Sequence, residues 1–223
     1  MREPVIQEGR CGGLEWAACA TTYPGQMRSG DAFLVQKTEA GVLVAVVDGL
    51  GHGEEAADAA EQALASLGRT AGHSLVRSLN ACHETLRGSR GAVMTLAVLD
   101  PDRSQLAWLA VGNVDAVVLR RPRSGLPQTS CAVTLRAGVV GDRLPPLREA
   151  TVAMAAGDTL IAVTDGIFPS FLDDLDLSLD ARALARRVHR CYSRTDDDAL
   201  VLVARSGAPE RCTEQRVSAP PSR

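Results

Sequence analysis

Aromatic residues are scarce in this 223-residue chain: Phe, Trp and Tyr together make up 3% of it. A core with so few rings must be filled by Val, Leu and Ala, and no aromatic platform for stacking nucleic-acid bases can be assembled. The charges exclude further partners. Lys and Arg number 24 against 27 acidic residues, a formal net charge of -3, and no Lys/Arg run supplies the basic footprint of a nucleic-acid or anionic-membrane binder. No apolar run approaches the ~20 residues that cross a bilayer. The amino-terminal MREPVIQEGR is charged throughout and lacks the apolar stretch of a secretion signal, so a cytoplasmic protein is expected. Six cysteines (Cys11, Cys19, Cys82, Cys131, Cys191 and Cys212) are scattered without Cys-x-x-Cys spacing. Neither a zinc site nor a disulfide framework is signalled, and reduced thiols are expected.

What is present suits one compact domain, with 45% hydrophobic residues. Short apolar runs at 14–20, 32–37, 42–47, 92–99, 105–111, 114–120, 159–164 and 199–204 predict strands. The runs LAWLAVG and VDAVVLR meet at Gly112-Asn113, a two-residue connection that predicts a tight hairpin and a largely antiparallel sheet. Helical spacing appears in three places: Ala56, Ala60, Ala63, Leu64 and Leu67; Leu75, Leu79, Cys82 and Leu86; and Leu184, Val188 and Cys191. Glu54, Glu55 and Asp58 put negative charge in the opening turns of the first, where the helix dipole favours it. The loop PRSGLPQTS at 122–130 joins two strands, and the polar, Pro-containing segment from Ser206 onward reads as a disordered tail. The acidic segment DDLDLSLD at 173–180 reads as a solvated loop leading into a helix, with a partner-binding flap or a third cation site as the alternatives.

One stretch asks for chemistry. VVDGLGHG at 46–53 lies between a predicted strand and a predicted helix. Asp-Gly is a hairpin signal only when a strand follows, and here a helix does. A dinucleotide loop needs its third glycine where Glu54 stands, and Asp48 and Glu54 would oppose a pyrophosphate with like charge. A metal site demands further oxygen ligands at other strand ends. The chain supplies them: Asp31 before AFLVQK, Asp165 after TLIAVT, and Asp196, Asp197 and Asp198 before ALVLVA. Any one of these, taken singly, reads as a cap or turn residue. Together they make a case: if the ends converge, the carboxylates repel unless cations neutralise them. An all-oxygen set favours Mn²⁺ or Mg²⁺ over zinc.

The order GDA, VVDGLGHG before a helix, RGAVMTLAVLD, AVGN, GDRLPP, VTDGI and DDDALVLVAR resembles the PPM family of metal-dependent serine/threonine protein phosphatases, in its bacterial branch of SpoIIE, RsbU and RsbX. The resemblance spans about residues 10–205. It implies an α+β fold, a central β-sandwich of two mostly antiparallel sheets flanked by helices in α-β-β-α layers, with one domain over 1–205 and a tail over 206–223. It also implies a phosphoserine/phosphothreonine phosphatase that hydrolyses the ester with a water bridged between two Mn²⁺ or Mg²⁺ ions, and in some members a third.

Carried over by position, Asp48 bridges both metals, the Gly49 carbonyl is a ligand, and Asp31 is the early aspartate near them. Asp165 and Asp197 are the late ligands, with Asp198 the alternative if the register of DDD shifts by one. The catalytic aspartates are then Asp31, Asp48 and Asp165. Two departures stand out. The histidine that follows Asp-Gly directly in eukaryotic relatives is replaced by Leu50, and His52 comes two residues later, as a candidate acid or a local structural residue. The late segment carries Leu200 where relatives often have Thr. Arg28 is a candidate fork for the phosphate, or an exposed loop arginine. In format the chain is similar to stand-alone RsbX-like members, which implies a phosphorylated STAS-domain protein of a stressosome or sigma-factor pathway as substrate. The alternatives are a pseudophosphatase and a cation-stabilised phosphoprotein-binding module without turnover.

Overall fold

The computed structural model of the chain describes residues 3–121 and 130–207. Most of the loop expected at 122–130, and the tail beyond Gly207, lie outside the described residues. The strands are β1 (Val5–Cys11), β2 (Leu14–Thr21), β3 (Asp31–Thr38), β4 (Gly41–Gly49), β5 (Ala92–Asp100), β6 (Gln105–Val111), β7 (Asp115–Leu119), β8 (Ser130–Ala132), β9 (Ala150–Ala153), β10 (Thr159–Val163) and β11 (Ala199–Ser206). The helices are α1 (Glu54–Thr70), α2 (Leu75–Leu86) and α3 (Ala181–Tyr192), with a 3₁₀ turn at Pro169–Asp174.

Two antiparallel sheets face each other. One runs β1-β2-β11-β10-β7-β8 and the other β3-β4-β5-β6-β9. The apolar runs are nearly continuous because each sheet is covered twice, by its partner sheet and by helices. Along β4, Val42, Val44 and Val46 enter the core between the sheets. The alternate residues Leu43, Ala45 and Val47 pack under α1 and α2. Along β11, Leu200, Leu202 and Ala204 face the same central core, while Ala199, Val201 and Val203 face α3. The period of 2 is intact on both faces. The α-β-β-α layering is as expected.

The hairpin expected at Gly112-Asn113 does not form. β6 pairs with β5 and β9, whereas β7 pairs with β10 and β8, so the chain crosses from one sheet to the other at that point. Both strands are apolar on both faces and carry no alternation to say which neighbour each takes. Gly112 has φ 89°, and an added Cβ would lie 2.2 Å from Val93. That glycine serves a crossover instead of a two-residue turn. The five cysteines among the described residues are all free, and no helix among the described residues is long and apolar enough to cross a membrane.

Candidate metal centre

Asp31 opens β3 and stands opposite Asp48 near the end of β4, in the same antiparallel register. Two carboxylates placed directly across a ladder repel. The late aspartates come from the other sheet, Asp165 just after β10 and Asp197 and Asp198 just before β11. Hydrogen bonds bring the two sheet ends together. The Thr164 hydroxyl donates to Asp31 Oδ2 at 2.7 Å and accepts from the Leu200 amide at 2.9 Å. Asp198, buried, accepts from the Tyr23 amide at 2.7 Å on one oxygen and from the Gly30 amide at 3.0 Å on the other. Both its oxygens therefore anchor the loop that leads to Asp31. Asp197 is only half-buried, with Oδ1 accepting from the Asp198 amide at 2.9 Å. Asp165 is exposed, and its carboxylate is oriented by Asn113 Nδ2 at 2.8 Å.

Each Asp-Gly pair has its glycine for a packing reason. A Cβ on Gly49 would lie 2.1 Å from the Ala56 carbonyl oxygen, so α1 can start over the end of β4 only because that side chain is missing. A Cβ on Gly166 would lie 1.9 Å from the Asp198 carbonyl oxygen, where the segment after Asp165 crosses the segment before β11. Close backbone approach, more than turn formation, explains both motifs.

The carboxylates sense one another. Burial raises the Asp31 carboxyl well above its ordinary range, and the charge of Asp48 adds to this, as do those of Asp198 and Asp165, against the Thr164 hydrogen bond. Asp48 is pushed up to about 8, first by burial and then by Asp165, Asp197 and Asp198. Asp197 is raised by burial and then by Asp165. Among the described residues, the arginines in ion pairs take other carboxylates. Repelling, desolvated carboxylates with no protein cation suit exogenous divalent ions. No three His, Cys, Asp or Glu side chains among the described residues close on one point by themselves. Any cation there would need water or backbone carbonyls to complete its coordination, which is how Mg²⁺ is usually held, by one or two carboxylates and several waters. The donor set fits hard cations.

The other candidates lie at the rim. His52 is exposed, stacked on Tyr23 with ring centroids 4.1 Å apart, and its Nδ1 is 3.4 Å from Gln26 Nε2. Arg28 reaches Glu54 at 2.6 Å, Asp58 at 2.7 Å and Glu61 at 2.8 Å, all on α1. Its fork is therefore engaged by the helix, and it straps the Tyr23–Gly30 loop to α1. The contacts that Thr164, Asn113 and Asp198 make with the site are ones that local sequence does not reveal. Their partners lie 133, 52, and 168 to 175 residues away.

The stage II sporulation protein E (SpoIIE) family profile matches residues 38–207, more than half of the chain. The chain belongs to the SpoIIE family. No curated protein matches it significantly by sequence. Among solved structures, one described as "The bacterial stressosome: a modular system that has been adapted to control secondary messenger signaling" is 33% identical. The match covers 86% of this chain and 99% of that one, with a TM-score of 0.76. RsbX in complex with magnesium is 19% identical, with 90% and 99% covered and a TM-score of 0.78. The catalytic domain of the serine/threonine protein phosphatase PstP in complex with 2 manganese ions is 18% identical, with 86% and 97% covered and a TM-score of 0.63. The fold is the one found in RsbX and in the PstP phosphatase domain.

Two outcomes follow for this SpoIIE-family chain. Thr164→Val leaves a buried Asp31 oxygen and the Leu200 amide without their partner, and should cost about 1–3 kcal/mol in urea unfolding. A change below measurement error would contradict the bridging role. The second concerns pH. A carboxyl whose folded pKa exceeds its unfolded value contributes stability that is complete below the unfolded pKa and lost as pH rises through the folded one. With Asp48 at about 8, the Tm in chelator should fall from pH 6 to pH 9, and Mn²⁺ should offset the fall. A Tm that rises over that span in chelator would contradict the charge clustering.

Proposed function

We propose that this chain is a Mn²⁺- or Mg²⁺-dependent phosphoserine/phosphothreonine phosphatase acting in the cytoplasm on a phosphorylated STAS-domain protein of a bacterial stress-signalling assembly. The observation that carries this reading is the convergence of the strand ends bearing Asp31, Asp48, Asp165 and Asp197, where burial and neighbouring carboxylates raise Asp31, Asp48 and Asp197 and no arginine ion pair among the described residues reaches them. A phosphate ester, itself dianionic, is repelled by such a cleft unless cations intervene. When bound, the two ions supply Lewis acidity and an activated water, so no protein nucleophile is required.

The chain's own residues hold that chemistry in place. Asp48, the Gly49 carbonyl, Asp31, Asp165 and Asp197 are the ligands. Asp197 is preferred to Asp198, because both Asp198 oxygens accept backbone amides. Thr164 fixes Asp31, and Asn113 fixes Asp165. His52 and Arg28 sit at the rim, where their present partners are Tyr23 and Gln26 for one and α1 for the other.

The stress-signalling part of this reading is supported by the 33% identical neighbour, which is described as the bacterial stressosome. The test is phosphate release from a serine- or threonine-phosphorylated STAS-domain protein, with an unrelated phosphoprotein as control. Release from the STAS protein at least tenfold faster is expected. Equal release from both would remove the STAS assignment, and binding without any release would favour a pseudophosphatase.

A further inference from the structure

Five large hydrophobic side chains are exposed among the described residues, and two of them, Phe168 at 42% and Leu172 at 41%, share one short 3₁₀ segment and its leading residue. Arg194 lies against Phe168. Its guanidinium carbon is 4.4 Å from the centroid of the Phe168 ring, and its Nε donates to the Asp165 carbonyl at 2.9 Å. The two segments are laced as a small antiparallel pair, with the Phe168 amide donating to Tyr192 O at 2.8 Å and the Arg194 amide to Gly166 O at 2.7 Å. Among the described residues Arg194 has no carboxylate partner. The nearby Asp174 is taken by Arg187 at 2.8 Å. An exposed aromatic ring under an arginine, with an exposed leucine in the same short segment, has the composition of an interface anchor.

Their place in the chain decides what covers them. Phe168 is three residues from Asp165, and Arg194 is three from Asp197, so each is within about 11 Å along the backbone of a proposed metal ligand. A protein partner that presents a phosphoresidue covers roughly 800 Å² of the enzyme, a disc about 16 Å in radius. A phosphoserine side chain is too short to hold its own backbone away from the cleft mouth, so that disc reaches Phe168 and Arg194, and Leu172 follows four residues after Phe168 in the 3₁₀ segment that Phe168 leads.

We propose that Phe168, Leu172 and Arg194 form the specificity surface of the phosphatase. There the phosphoprotein seats an apolar side chain on the ring and Leu172 and a carboxylate on the guanidinium, beside the phosphorylated residue. This rests on the phosphatase reading and adds the substrate chemistry to it.

The test uses two phosphoserine peptides identical except for the residues flanking the phosphoserine, leucine and glutamate in one, serine and lysine in the other. With the full-length protein and Mn²⁺, the first should have a kcat/KM about tenfold higher, of the order expected for an anchor contact. The same ratio should appear in affinities read by fluorescence anisotropy with Mn²⁺, using the same two peptides with a non-hydrolysable phosphonate in place of the phosphate. In Phe168→Ser/Leu172→Ser the leucine contribution should vanish, and in Arg194→Ala the glutamate contribution, each read as a ratio between peptides and so independent of overall rate. Equal handling of both peptides by the wild type, or ratios unchanged in the variants, would overturn the surface. No hydrolysis of either peptide with a tenfold affinity difference intact would count against the phosphatase reading and leave the surface standing.

Discussion

Asp48→Asn is expected to lower Mn²⁺-dependent phosphate release by about 10³-fold while making the metal-free protein more stable at alkaline pH. The two effects have one cause. Asp48 carries a negative charge into a desolvated cluster that includes Asp165, Asp197 and Asp198, and its carboxyl is raised to about 8 as a result. In the working protein that charge attracts cations. Losing a ligand of the proposed centre would forfeit several kcal/mol of transition-state stabilisation, and about 4 kcal/mol corresponds to 10³ in rate. In chelator the same charge only repels. The asparagine variant should therefore melt higher than wild type at pH 9, with the gap narrowing as pH falls and closing near the unfolded-state carboxyl value of about 4. Full activity in the variant would remove Asp48 from the centre, and a lower Tm at pH 9 would show that its charge is not frustrated in the fold.

Gly166→Ala should have the largest effect on the fold among the positions discussed. The new methyl would stand 1.9 Å from the Asp198 carbonyl oxygen and 2.9 Å from Ala199 Cα, both backbone atoms that no rotamer change can move aside. The two segments bearing the late aspartates must then separate. Overpacking against backbone costs about 3 kcal/mol or more, which for a domain of this size lowers Tm by roughly 6–12 °C. Gly68→Ala is the matched control. It lies inside α1, where an added Cβ meets only the end of the Gln36 side chain at 3.3 Å, and it should be neutral or stabilising by up to ~1 kcal/mol. Similar Tm values for the two variants would contradict the close-approach account of the Asp-Gly motif.

Much of the layered fold was legible because the strands are buried on both faces and so stand out as apolar runs, while α1, α2 and α3 show their own spacing. β1 was not. VIQEGRC is an edge strand with one half-buried face and reads as polar. The four-residue β9 is mostly exposed and too short to carry a pattern. Pairing partners were the other blind spot. The Gly112-Asn113 junction looks like a hairpin locally, yet it carries the chain between sheets and so delivers Asn113 to Asp165. The ordered aspartates were visible because each abuts an apolar run. Thr164, two residues before the Gly166 crossing, was visible as a residue but not as a bridge, since its partner Asp31 belongs to the opposite sheet. Arg28 illustrates the converse. An arginine near the early aspartate suggested a phosphate grip, and the surface of α1 presents it with three carboxylates that no reading of the loop alone discloses.

The measurement that bears most directly on the central claim is phosphate release from a generic aryl phosphate with Mn²⁺, with Mg²⁺ and with chelator, in the wild type and in Asp165→Asn. Turnover that requires the cation and is lost in the variant is the predicted result. Turnover that persists in chelator, or that survives the substitution undiminished, would contradict a metal centre built on these aspartates.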